Sequence, residues 1–120
     1  MKHALPDGLQ KLLPLTPAVF YVLFSLGDGE KHGYAIMQET DKLSDGKFHM
    51  GPGTLYTTLQ RLLDLGLIEE IEATRNAGND SRRRYYRLSG DGKSLLDADL
   101  ERMDLVVKLA RRRKLAPASE

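Results

Sequence analysis

The residue types that most often carry catalysis or bind metals are sparse in this 120-residue chain, which has three histidines and no cysteine. His3, His32 and His49 are scattered, and none shares a helix face with a carboxylate at metal-ligand spacing. Without a thiol there is neither a disulfide nor a thiolate metal site. No serine or threonine stands in a nucleophile elbow. Gly51-Pro52-Gly53-Thr54-Leu55-Tyr56 begins like a dinucleotide-binding turn, but it lacks the third glycine and the βαβ setting. The reading is therefore of a non-enzyme with no catalytic residue, no metal and no cofactor. His32 reads as a cap or packing residue at a helix start, and His49 as a packing residue within reach of a phosphate.

What remains is hydrogen-bonding and cationic chemistry, gathered in two places. In the segment after Pro52, Leu55, Leu59, Leu62 and Leu63 recur at the spacing of a core-facing helical stripe. The opposite face carries Gly53, Thr54, Thr57, Gln60 and Arg61, with Asp64 further along. Small, polar and basic residues near a helix N-terminus suit entry into a major groove, where the first turns meet base edges and phosphates. Thr54 and Thr57 offer hydroxyls and methyls, Gln60 matches adenine, and Arg61 matches guanine or phosphate. Free N–H groups near Gly53 and Thr54 favour an anion. Asp64 repels phosphate, so it belongs at the end leaving the groove. An ordinary solvated helix face has the same composition, so the helix alone leaves both readings open.

The second place is a basic cluster. Arg75, Arg82, Arg83 and Arg84 stand at or near the loop of a predicted hairpin, and arginine inserts readily into narrow minor grooves. Alternation along the second strand puts Tyr86 and Leu88 on the inward face and Arg83, Tyr85 and Arg87 on the other. In this reading only Asp80 interrupts the positive charge of the hairpin. A surface charge run is usually a solvated face, but four arginines beside a hairpin tip, directly after the candidate helix, tip the balance toward nucleic acid.

The elements that must position these residues follow from local signals. Residues 1–14 are weakly patterned, with Leu9, Leu12 and Leu13 able to form one amphipathic turn. Thr16 is a good N-cap and Pro17 a good first residue for a helix ending at Gly27-Asp28-Gly29. Val19, Phe20, Leu23, Phe24 and Leu26 cover much of its circumference, which in so small a domain points to a partner chain. A second helix fits Gly33–Leu43, with Tyr34, Ile36, Met37 and Leu43 inward. The third ends at Gly66. Strands over 67–73 and 83–88 form a hairpin with a turn-rich loop, and Ser89 caps a last helix running to about 114. In that helix Leu96, Leu100, Met103, Val107 and Ala110 follow spacings of four, three, four and three, a heptad seam broadened by Leu95, Val106 and Leu109.

Bulk charge is nearly neutral, at +1, and divides unevenly: residues 1–66 carry six basic and seven acidic side chains, residues 67–120 twelve and ten. No stretch has the layout of a signal peptide or the length of a membrane span, and the absence of cysteine fits a reducing cytoplasm, the compartment expected.

The segment from Gly53-Thr54-Leu55-Tyr56 through Leu65-Gly66-Leu67-Ile68 resembles the recognition-helix signature of PadR-family transcriptional regulators. His32-Gly33-Tyr34, Arg84-Tyr85-Tyr86-Arg87-Leu88-Ser89 and the opening Leu15-Thr16-Pro17 are similar to further motifs of that family, in the same order. The resemblance spans roughly residues 15–110. It implies a winged helix homodimer that usually represses transcription and is often released by a small molecule. It also implies that Tyr56 helps set the helix against the DNA backbone, although its place at the flank of the core stripe equally fits plain packing. A single C-terminal helix matches the short branch of the family.

The expectation is a mainly α fold with a small β-hairpin: an N-terminal arm (1–14), a winged helix-turn-helix domain (15–89), a dimerisation helix (90–115) and a disordered tail (116–120). The expected partners are double-stranded DNA, a second copy of the chain and a small-molecule effector, but no membrane. DNA would meet Gly53, Thr54, Tyr56, Thr57, Gln60, Arg61, Arg75, Arg82, Arg83 and Arg84. The dimer would use Phe20, Phe24, Leu96, Leu100, Met103, Val107 and Ala110, and Phe20, Phe24 and Met103 would line an effector site. The alternative is a winged helix that binds protein and not DNA.

Overall fold

The computed structural model describes residues 5–72 and 84–115. Arg75, Arg82 and Arg83, the hairpin turn and the tail after 115 lie outside the described residues. Among those described, the order is α1 (Asp7–Gln10), α2 (Pro17–Ser25), β1 (Lys31–His32), α3 (Gly33–Leu43), α4 (Pro52–Asp64), β2 (Ile68–Ile71), β3 (Tyr85–Leu88) and α5 (Gly90–Arg112).

The helix α2 starts where its capping chemistry places it. The Thr16 hydroxyl accepts from the Val19 N–H at 3.4 Å, and Pro17 follows in the first turn. Val22 and Leu23 are completely buried, and Val19, Phe20 and Leu26 nearly so. The all-round apolarity expected to need a partner chain is largely satisfied at home, because α2 packs against α3, α4 and α5 at once. At its far end Lys31 donates to the Ser25 carbonyl at 2.7 Å and to the Asp28 carboxylate, tying off the helix C-terminus.

On α3 the buried positions are Gly33, Ile36 and Thr40. Tyr34 is 59% exposed and Leu43 36% exposed, against the inward positions expected for both. Tyr34 lies about 200° round the helix from Ile36. Leu43 keeps to the Ile36 side but reaches past the packed part of the core. Met37 is half-buried against the core as expected.

The end of α4 is set by a left-handed Gly66, φ 74°. The Leu67 N–H reaches back to the Leu62 carbonyl at 2.9 Å and the Gly66 N–H to that of Leu63 at 3.0 Å, the paired bonds of a Schellman stop. The chain turns at once into β2. The sheet has three antiparallel strands in the order β1-β3-β2, with Glu70 opposite Tyr86 and Lys31 opposite Tyr86 on its other side. The sequence reading had only the hairpin, since two residues of β1 are too few to show alternation.

The start of α5 is locked to the α4–β2 turn. Ser89 donates its hydroxyl to the Gly66 carbonyl at 2.6 Å while accepting from the Gly92 N–H at 3.1 Å. Gly92 lies so near Leu67 that a Cβ there would collide outright with the Leu67 carbonyl oxygen. Leu95 and Leu96 complete a core shared with Ile36, Met50, Leu55, Leu59, Leu62, Leu67, Ile68 and Tyr86. The N-terminal Leu9, Leu12 and Leu13 pack at its edge.

Candidate nucleic-acid interface

The two faces of α4 are sharply divided. Leu55, Leu59 and Leu62 are at most 1% exposed, and each such leucine contributes roughly 1.5–3 kcal/mol by leaving water. Gly53, Thr54, Thr57, Gln60 and Arg61 are exposed on the opposite side. Gly51 is the N-cap of the helix and Pro52 its first residue, and with no side chain at Gly51 the first N–H groups have no side-chain cap. A surface of small residues, hydroxyls and open N–H groups can approach a phosphate backbone closely.

Two of the expected DNA contacts are engaged within the chain. The Gln60 amide donates to the Asp64 carboxylate at 2.9 Å, so reading a base would require it to leave Asp64. Arg84 stands 3.7 Å from Glu70, and Arg87 donates to Glu69 at 2.9 Å. The expectation that only Asp80 interrupts the positive charge of the hairpin is therefore corrected: β2 brings Glu69 and Glu70 to the arginines of β3. That pairing is set by strand register, which the one-dimensional pattern does not reveal. Arg61 remains exposed on the flank of α4 that borders Leu12, Leu15 and Thr16.

Tyr56 occupies the other flank. It is 52% exposed, yet its hydroxyl is turned back onto the start of α3, where a Cβ built at Gly33 would lie 2.7 Å from it. Close by, Tyr86 is buried at the centre of the sheet, and its hydroxyl is held above the ordinary phenol range by that burial, by the Glu70 carboxylate and by Tyr56, with Arg84 opposing. His32 caps α3, its Nδ1 accepting from the Ala35 N–H at 3.2 Å, and its ring meets Tyr85 edge-on at 5.4 Å. This fulfils the capping role read from sequence. His49 differs from expectation: it does not pack but is exposed, 3.2 Å from Asp41. Gly33, whose bare backbone makes room for Tyr56, was visible only as the middle of a motif.

The residues expected at a dimer interface divide between two environments. Phe20 and Leu96 are buried inside the chain itself, and Leu100 and Met103 are half-buried against its core. Past Met103 the helix leaves the domain, and Leu105, Val106, Val107 and Leu109 are 54%, 53%, 40% and 45% exposed. A groove of about 300 Å³ between α2, α3 and α5 is lined by Phe24, Leu43, Leu96 and Leu100, with Glu39 and Asp97 at its edge. Among the described residues no histidine and carboxylate cluster could hold a metal ion, and no helix is long and apolar enough to cross a membrane.

Comparison with known proteins gives this geometry its setting. The model of the transcriptional regulator PadR-like family matches residues 22–98. The transcriptional regulator Rv3488 of Mycobacterium tuberculosis is 34% identical over 79 residues, 66% of this chain and 68% of that protein. A 37.1 kDa protein of transposon TN4556 from Streptomyces fradiae is also 34% identical, over 86 residues, which are 72% of this chain but 23% of that protein. In fold, the chain is similar to Bacillus subtilis PadR, solved in complex with operator DNA, with a TM-score of 0.62 at 24% identity over 72% of this chain and 47% of the other. The mainly helical fold with its small antiparallel sheet is a winged helix, and the chain belongs to the PadR-like family of transcriptional regulators.

Proposed function

We propose that this regulator binds double-stranded DNA as a homodimer and represses transcription by occupying its operator. The observation that carries the reading is the division of α4: three core leucines behind, and in front an exposed face of Gly53, Thr54, Thr57, Gln60 and Arg61 with an uncapped N-terminus. Thr54 and Thr57 meet bases or phosphates in the major groove, and Tyr56 sets the angle of entry. Arg84, once drawn from Glu70, contributes charge at the wing, joined by Arg75, Arg82 and Arg83. The solved operator complex of Bacillus subtilis PadR supports this use of the fold.

The dimer forms through the apolar overhang of α5, Leu105, Val106, Val107 and Leu109, which has no cover within the described residues. Two α4 helices related by a two-fold axis read half-sites about 10 bp apart, or a multiple of one turn. A small aromatic effector enters the groove at Phe24, Leu96 and Leu100 and shifts the spacing of the helices. Such a protein acts in the cytoplasm.

Selection from a random duplex library tests the reading. A two-fold symmetric motif, bound with an affinity that falls steeply with salt, is expected. Enrichment of no sequence, together with salt-insensitive binding, would transfer the winged helix to a protein partner. A panel of aromatic compounds that leaves both thermal stability and DNA affinity unchanged would remove the effector.

A further inference from the structure

We propose that Gly33 is a positioning residue for Tyr56: the bare start of α3 is a socket that receives the Tyr56 phenol and holds it at the flank of the DNA-facing side of α4. The proposal rests on the DNA-binding reading and adds a residue to it that does not itself face DNA.

The backbone gives no reason for a glycine here. Gly33 is the first residue of α3, capped by His32, and its φ lies outside the left-handed range that L residues avoid. Alanine would favour the helix on propensity alone. The reason is space. A Cβ at Gly33 would lie 2.7 Å from the Tyr56 hydroxyl oxygen, 3.2 Å from its Cζ and 3.3 Å from a Leu55 methyl. The first of these is a collision and the other two are tight contacts.

The identity of the obstacle decides what the glycine is for. At Gly92 a Cβ meets backbone, the Leu67 carbonyl, which cannot yield without unseating α5. At Gly33 the nearest obstacle is the tip of a side chain that is 52% exposed. Such a ring has solvent to swing into. Filling the socket therefore expels Tyr56, while the buried Leu55 methyl at 3.3 Å has to give by only a few tenths of an ångström. Tyr86, which interacts with Tyr56, is buried, whereas Tyr56 is already 52% exposed, so the displaced phenol moves outward, toward the exposed face of α4. There it would obstruct the approach of Gly53 and Thr57 to DNA.

A double-mutant cycle on the full chain tests this, with Gly33→Ala, Tyr56→Phe and the two combined. The readouts are the melting temperature without DNA and the affinity for a selected duplex at fixed salt. Gly33→Ala is expected to weaken DNA binding about tenfold in the parent with a small change in melting temperature, and to change it less than about twofold when added to Tyr56→Phe, whatever affinity that single variant has, a coupling of the size seen between residues in contact. Removing the hydroxyl removes the 2.7 Å collision, and the remaining 3.2 Å approach is relieved by a small tilt of the ring. A Gly33→Ala chain that binds like the parent, or losses that simply multiply in the double variant, would overturn the socket. Should Gly33→Ala fail to fold, recovery of folding in the Tyr56→Phe background supports the contact, and failure in both backgrounds overturns it. A parent chain that binds no duplex refutes the DNA reading, whereas thermal coupling between the two positions reads the socket separately.

Discussion

The two halves of α5 carry the same kind of apolar repeat and meet opposite fates. From Gly92 to Leu96 the helix is sealed into the domain, with Leu95 fully buried and Leu96 3% exposed. From Leu105 to Leu109 comparable side chains stand about half in water. Asp99 and Arg102 mark the boundary: the Asp99 side chain is fully buried and accepts from the Arg102 Nε at 2.8 Å, while Arg102 itself is 40% exposed. A stripe of leucines thus states that something will cover it. Whether the cover is the chain's own core or another molecule depends on where the neighbouring helices stop. In this chain α2 and the α4–β2 turn reach only the first half.

The comparison is broken most severely at its sealed end. Gly92→Ala places a methyl group on the Leu67 carbonyl and is expected to cost about 4 kcal/mol or more, seen as loss of the cooperative thermal transition. Leu95→Ala empties a fully buried site and should lower the unfolding free energy by about 2–5 kcal/mol, measured by urea titration. The same truncation at Leu105, which is 54% exposed, should change the stability of dilute, monomeric chain by less than about 0.5 kcal/mol while weakening self-association in a sedimentation series. Equal stability losses at the two leucines would erase the distinction between the halves.

At the boundary, Arg102→Ala strips the buried Asp99 carboxylate of the one donor it has among the described residues and is expected to cost about 1–3 kcal/mol. Arg102→Lys should recover part of this, and an unchanged midpoint in the alanine variant would mean that the pair is idle. The smallest effect lies at the far end of α2. Lys31 holds the Asp28 carboxyl below its ordinary 3.8, first through their hydrogen bond and then through charge. A lowered folded pKa means stabilisation that is present above 3.8 and lost as pH falls through the lower folded value. Asp28→Asn should therefore reduce stability slightly at pH 7 and make a shrinking difference as pH falls below 3.8, in paired thermal melts. A difference that grew on acidification would contradict that assignment.

Much of the fold was legible because single residues with single jobs mark it. Thr16 and Ser89 cap as read, Gly66 stops α4, and the leucines of α4 face the core. What escaped the reading needs a third dimension. β1 is two residues long and exists only because β3 offers it an edge. Glu69 and Glu70 neutralise arginines that follow them by many positions, which only register discloses. Tyr34, expected inward with Ile36 and Met37, falls off the narrow face set by Gly33, Ile36 and Thr40. In the candidate interface the exposed face of α4 was legible as a whole, because composition and period show it. Its internal engagements, Gln60 with Asp64 and Tyr56 with the space at Gly33, were not, since each depends on a rotamer or on a neighbouring helix.

The most direct test of the account is the stoichiometry of the chain on a selected duplex, read by analytical ultracentrifugation. Two chains per duplex are predicted for the parent, falling to a weakly bound single chain when Leu105→Glu and Leu109→Glu are combined, with each free protein still helical. A parent that binds as one chain per duplex, or a combined variant that still binds as a pair, would contradict the claim that the overhanging half of α5 joins two DNA-reading helices.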